Sequence, residues 1–216
     1  MTNISQEVTH LLSSDVAIQS CLCRNLINMR GLAKYIIDKH NVDASIDSVI
    51  SAIRRFDSHC EFQNHQFKLK ELFSGSMIKT STNLVALDIS GRNNIKKCFN
   101  LLNSTIDLDK GETLRIVKGN AHLRLVIDEK NLESLKKELG FNNYIEINNL
   151  VELTVEIKDS KLHITKGVMA RISNELSATN INIIDFIFTP SLIHIFVDKK
   201  DYVQAHSTLV SITERY

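Results

Sequence analysis

Residues 151–212 constrain this chain more than any other stretch, because they spell out a strand, a helix, a hairpin and a second helix in one pass. Val151, Leu153, Val155 and Ile157 alternate with Glu152, Thr154 and Glu156, the pattern of a strand in a sheet covered on one face. After a polar loop at 158–161, residues 162–178 carry Ile164, Val168, Ile172 and Leu176, spaced for one face of a helix. Residues 180–188 are rich in Ile and Phe and predict a strand. Pro190, the only proline in the chain, sits in a turn at 189–191. A strand at 192–197 and a helix at 201–213 complete the order β-α-β-β-α, the front of a ferredoxin-like unit. The chain ends soon after Ile212, so the fourth strand of this unit is missing or supplied from elsewhere.

The words inside that order are more specific than the order. Residues 166–183, KGVMARISNELSATNINI, resemble the ACT domain, a small ligand-sensing module of amino-acid metabolism, and are most similar to the type found in aspartokinases. There a glycine starts the first helix, a leucine ends its buried face and an Asn-Ile pair opens the second strand. Here these are Gly167, Leu176 and Asn182-Ile183. Lys166 stands where that family usually has proline, which leaves the loop backbone less pre-set. The resemblance implies an amino-acid site. Backbone N–H groups at the helix N-terminus suit a carboxylate, and the start of the second strand offers backbone groups beside them. The residues so implied are Asp159, Ser160, His163, Thr165, Lys166, Gly167 and Val168, with Asn180, Ile181 and Asn182; Asp159 would meet an α-ammonium group. The same residues also read as a tight turn with asparagines that merely cap and edge the sheet.

Residues 83–148 repeat the pattern in outline. They comprise a strand at 83–89 and a helix at 94–103 with Ile95, Phe99 and Leu102 inward. A hairpin of 113–117 with 121–127, a helix at 131–139 and a strand at 144–147 follow. This predicts an internal duplication, a degenerate ACT copy recognised by order rather than by words. The domain boundaries are then 1–74, 75–148 and 149–216, with polar residues 74–82 as a linker.

Residues 1–74 predict helices. Ile4, Val8, Leu11 and Leu12 share one face. Ser14 or Asp15 caps a second helix with Val16, Ile18, Cys21 and Leu22, and Asn28 caps a third with Leu32, Ala33, Ile36 and Ile37. Ser45 caps a fourth, whose apolar face is Ile46, Val49, Ile50 and Ile53. Short strands at 60–62 and 66–69 would form a wing. Two helices joined by a short turn are the helix-turn-helix pattern. INMRGLAKYI at 27–36 and VISAIRRF at 49–56 resemble the amino-terminal half of archaeal ACT-containing regulators. A DNA-binding reading of this pattern puts Ser48, Ser51, Arg54 and Arg55 against DNA, with Lys34, Lys68 and Lys70 on phosphates. Against it, residues 1–74 hold eight Lys/Arg and eight Asp/Glu, and a neutral domain has weak non-specific affinity for DNA. A solvated polar face would present the same residues.

Composition excludes little else. Net charge is +1, with 24% charged and 43% hydrophobic residues, ordinary values for a soluble globular chain. No signal-peptide pattern opens the sequence, and no apolar run approaches the roughly 20 residues of a membrane span. Cys21, Cys23, Cys60 and Cys98 form no disulfide framework, which predicts reduced thiols and a cytoplasmic location. His59, Cys60, Glu61 and His65 make one loose group, not the paired spacings of a structural zinc site. Neither a metal nor a cofactor is expected. P-loop, nucleophile-elbow, zinc-protease and dinucleotide motifs are missing, so the chain is not expected to be an enzyme. The expected fold is α+β, a winged helix-turn-helix-like domain followed by two ferredoxin-like βαββαβ ACT domains. The expected function is a homodimeric, ligand-responsive transcriptional regulator with a free amino acid and DNA as partners. The alternative is a sensing or dimerising protein that binds a protein partner instead of DNA.

Overall fold

The computed structural model describes residues 4–57, 62–140, 144–158 and 162–214. The chain divides into two compact units, Met1–Leu69 and Lys70–Tyr216.

The first unit is helical: α1 (Ile4–Ser14), α2 (Val16–Cys23), α3 (Met29–His40), α4 (Ile46–Asp57) and the start of α5 (Phe62–Phe73). Side chains fix three of the starts. The Asp15 carboxylate accepts from Ile18 N at 3.0 Å. The Asn28 side chain accepts from Arg30 N and Gly31 N at 2.9 and 3.0 Å. The Ser45 hydroxyl accepts from Ser48 N at 3.2 Å. These bonds satisfy N–H groups that a helix start leaves without partners. Val8, Leu12, Leu22, Leu32, Ala33, Ile36, Val49, Ala52 and Ile53 form the core. Val16, at the start of α2, is 63% exposed. Helix α5 replaces the expected wing: residues 66–69 are helical, and of the first expected strand only Phe62, also helical, is described. Leu69, Leu72 and Phe73 are buried at a helical spacing, which outweighs a strand reading of so short a segment.

The second unit is one six-stranded antiparallel sheet with helices α6 (Arg92–Thr105), α7 (Leu132–Leu139), α8 (Val168–Ala178) and α9 (Tyr202–Glu214). Its strands are β1 (Met77–Ser90), β2 (Leu114–Lys118), β3 (His122–Asp128), β4 (Tyr144–Glu156), β5 (Asp185–Phe188) and β6 (Leu192–Asp198). They lie in the order β2-β3-β1-β4-β6-β5. Two ferredoxin-like units share this sheet through its two long strands. Residues 84–89 of β1 pair with β3 on one side and with 144–150 of β4 on the other. Residues 77–81 pair with 152–156 of β4, which in turn pairs with β6. The fourth strand of the last unit is therefore the beginning of β1, within the segment expected to be a linker.

Each long strand changes allegiance at an asparagine. Asn83 and Asn149 adopt φ of 57° and 59°, and the β1–β4 register shifts between Ser81 and Leu84. A left-handed residue in a strand makes a bulge and a bend, and asparagine tolerates that conformation better than other side chains with a Cβ. The duplication is legible here: Asn-Leu-Val-Ala-Leu at 83–87 and Asn-Leu-Val-Glu-Leu at 149–153 occupy equivalent places.

Alternation builds two cores. In the first half Val85, Leu87, Ile89, Leu123, Leu125 and Ile127 form one cluster with Ile95, Cys98, Leu102, Leu132, Leu135 and Leu139 of α6 and α7. Cys98, not Phe99, faces inward: Phe99 is 37% exposed. In the second half Val151, Leu153, Val155, Ile193, Ile195 and Val197 are buried, as are Val168, Ile172 and Leu176 of α8 and Ala205, Leu209 and Ile212 of α9. The opposite face joins the halves. Leu84, Ala86 and Val126 form one cluster with Leu150 and Phe196. The sheet curls to achieve this. In a flat sheet Arg124 on β3 would lie four strand spacings, roughly 19 Å, from Asp185 on β5. Its Nη1 is instead 3.1 Å from the Asp185 carboxylate.

Candidate functional site

The connection between β4 and α8 differs in length from its counterpart in the first half. In the first half Gly91 alone separates β1 from α6. In the second half residues 157–167 intervene. Ile157 is held to the sheet by its N–H, which donates to Ser191 O at 2.9 Å. Asp159 and Ser160 lie outside the described residues. A 3-10 turn at Leu162–Ile164 then plants Leu162 in the core at 0% exposure. Gly167 follows at φ 78°, ψ 4°, and caps α8 without a side-chain hydrogen bond. An L side chain adopts that backbone only at a cost, so glycine lets the chain break from the 3-10 turn and start a new helix. The expected continuous helix from 162 therefore splits, and Ile164 is 66% exposed rather than inward.

Beside this start lies a cavity of about 330 Å³, lined by Leu162, His163, Thr165, Gly167, Val168, Met169, Ala170 and Phe188. Four sequence-predicted residues thus come together: His163, Thr165, Gly167 and Val168. Lys166 is exposed and does not line the cavity. Asn180, Ile181 and Asn182 are not beside it either. They follow the C-terminus of α8, whose 11 residues carry the chain about 16 Å along the helix axis. Asn180 (φ 59°) turns the chain there, and Ile181 N donates to Leu176 O at 3.0 Å. The strand expected to begin at 180 begins at Asp185, and it is its far end, Phe188, that returns to the cavity. Leu162, Met169, Ala170 and Phe188 were missed. For Phe188 the topology supplies the signal: the end of a strand antiparallel to its helix returns to the start of that helix.

The halves also meet through two charged clusters on the inner face. Glu152, 0% exposed, accepts from Arg115 Nε at 3.1 Å and Nη2 at 3.2 Å through its two oxygens. His194 Nδ1 lies 2.5 Å from Glu152 Oε1, and the Thr154 hydroxyl donates to the same oxygen at 3.2 Å. Burial pushes the Glu152 carboxyl up, but the His194 hydrogen bond and the Arg115 charge outweigh it and hold the group below the usual carboxylate range. Arg124 donates to both Asp88 oxygens at 2.7 and 2.6 Å and to Asp185 at 3.1 Å.

On the helical unit, α4 exposes Ser48, Ser51, Arg54 and Arg55, and α3 exposes Lys34. Ser48 Oγ shares a 2.8 Å hydrogen bond with Ser45, and Arg55 Nε donates to Ser51 O at 3.3 Å. Lys68 and Lys70 are exposed on helix α5, not on a wing, and Lys70 begins the second unit. Among the described residues no group of three or more His, Cys, Asp or Glu side chains could hold a metal; His59 and Cys60 lie outside them. No helix among those residues is long and apolar enough to cross a membrane. Cys98 is buried, which pushes its thiol up to about 11.

Solved structures are similar in fold to part of this chain. Aspartate kinase from Clostridium acetobutylicum matches with a TM-score of 0.52 at 17% identity, covering 66% of this chain and 36% of the kinase. E. coli aspartokinase III matches with a TM-score of 0.51 at 16% identity, covering 62% of this chain and 32% of the enzyme. About two thirds of the chain shares the fold of the matched part of these kinases. The regulatory subunit of aspartate kinase from Thermus thermophilus aligns at a TM-score of 0.49 and 14% identity, over 65% of this chain and 98% of that one. The matched part spans only about a third of the length of the first two kinases. No family model matches the chain, and no curated protein sequence resembles it.

Proposed function

We propose that the second unit senses a free amino acid in the cavity at the start of α8, and that occupancy modulates DNA binding by the helical unit. On this reading the protein is a regulator and not an enzyme. The observation that carries it is the cavity itself, set against a glycine-started helix inside an ACT-type fold. First-turn N–H groups that receive no side-chain cap from Gly167 suit a carboxylate, and the volume lies at the small end of the roughly 300–1,000 Å³ range of ligand pockets. The similar E. coli aspartokinase III was solved with aspartate and ADP, and an amino acid is the class of ligand this cavity fits. On the helical unit, α3 and α4 joined by a short turn, with Ser51, Arg54 and Arg55 on the outer face of α4, support DNA as the partner. Edge strand β2 leaves Ile116 and Val117 38% and 48% exposed, and an uncovered edge favours a homodimer.

A second reading rests on Val16, Leu26 and Phe67, which are 63%, 63% and 65% exposed on the helical unit. Apolar side chains of this kind favour a protein partner in place of DNA. Fluorescence anisotropy of a labelled duplex with the full chain separates the two. Binding that weakens steeply between 50 and 200 mM salt, and shifts with added amino acids, supports the regulator. The absence of binding at low salt supports the protein partner.

A further inference from the structure

Resting on the sensor reading above, we infer that the cavity takes an amino acid with an apolar side chain, of the leucine, isoleucine, valine or methionine class, and that Met169 and Phe188 set this preference. A free amino acid presents three parts to a site. Its charged pair needs N–H donors and oxygen acceptors, which the first turn of α8 and the polar groups of Thr165 and His163 supply. Its side chain meets the rest of the lining, and that lining is carbon: Leu162 and Val168, buried at 0% and 2% exposure, with Met169, Ala170 and Phe188. Met169 is the informative residue. It sits in the first turn of α8, where the helix dipole favours Asp or Glu, yet that turn holds no acidic residue and its methionine is 50% exposed. A flexible apolar side chain half-open to solvent at a cavity wall can close over an apolar ligand without strain. A lysine or aspartate ligand would place its side-chain charge against these carbons and lose hydration, with no Asp, Glu, Lys or Arg among the described lining residues to pair with it.

Each buried methylene tightens binding by a factor of about four. Leucine, with three more side-chain carbons than alanine, should therefore bind at least about tenfold tighter, allowing for a cavity open on one side. The test is calorimetric titration and thermal shift of the full chain with leucine, isoleucine, valine, methionine, alanine, lysine and aspartate. Preference for the first four supports the inference. Preference for lysine or aspartate overturns it and leaves the sensor reading standing. If no amino acid binds or raises the melting temperature, the sensor reading falls and the inference with it. Met169→Glu adds a carboxylate where the helix dipole tolerates one, so the fold should survive while leucine affinity falls more than tenfold. Met169→Leu should stay within about threefold of the parent. Equal leucine binding by Met169→Glu and the parent would assign the preference elsewhere and overturn the role of Met169.

Discussion

Replacing Arg115 by methionine tests how the two halves of the sheet are held together. The methionine keeps most of the side chain's bulk and removes the cation opposite Glu152. Glu152 is fully buried, and the Arg115 side chain is 31% exposed. Breaking a buried ion pair from one side costs about 3–5 kcal/mol when the remaining charge is left alone. Here His194 and Thr154 still contact the carboxylate, and solvent screens part of the Arg115 charge. The expected loss is therefore about 2–3 kcal/mol at pH 7. The pH dependence follows from the lowered Glu152 value. In the parent its contribution is fully present above the unfolded carboxyl pKa of about 4.3 and is lost as pH falls through the lower folded value. Without Arg115, burial is opposed by less and the folded pKa rises. The deficit of the variant should then be largest at neutral pH and shrink by about 1.4 kcal/mol per unit of that rise as Glu152 protonates. Urea unfolding followed by far-UV circular dichroism at pH 7 and pH 3.5 measures this, with Glu152→Gln completing a double-mutant cycle. A deficit below about 0.5 kcal/mol at pH 7, or one equal at both pH values, would refute the reasoning.

Arg124→Ala removes a bidentate bond to Asp88 and one to Asp185, and should cost about 1.5–3 kcal/mol, with Asp185→Asn non-additive in a cycle. Asn83→Ala and Asn149→Ala each place alanine at positive φ and should cost about 1 kcal/mol, whereas the glycine variants should stay close to the parent in urea titrations. Gly167→Leu, at φ 78°, should destabilise by about 1–2 kcal/mol and abolish amino-acid binding in titration calorimetry. Lys34→Ala should weaken duplex binding uniformly across sequences and lower the salt slope by about one.

Much of the second half was legible because its elements bury one face each. Val168, Ile172 and Leu176 repeat at helical spacing and are all buried. Ile164 continued the same spacing but not the same helix, because Gly167 interrupts it with a left-handed backbone that periodicity does not register. Residues 77–81 looked like a linker because only Ile78 and Thr80 share a face with the covered side of β4. Their partner strand lies more than 70 residues away, and such pairing leaves no local trace. The helical faces of α3 and α4 were clear. The wing was not, since a few alternating residues around Phe67 carry less information than the helical spacing of Leu69, Leu72 and Phe73. At the cavity, the loop was visible through its glycine, while Phe188 required the path of the chain through α8 and back along β5.

Hydrogen exchange on the full chain, with and without saturating amino acid, tests the central claim most directly. On the proposed reading the ligand sits at the first turn of α8, and the first half, with Gly91 alone before α6, takes none. Peptides covering 162–178 should gain protection on adding leucine, while those covering 91–105 should not change. Protection confined to 91–105, or unchanged exchange across 162–178 under conditions where calorimetry shows binding, would contradict it.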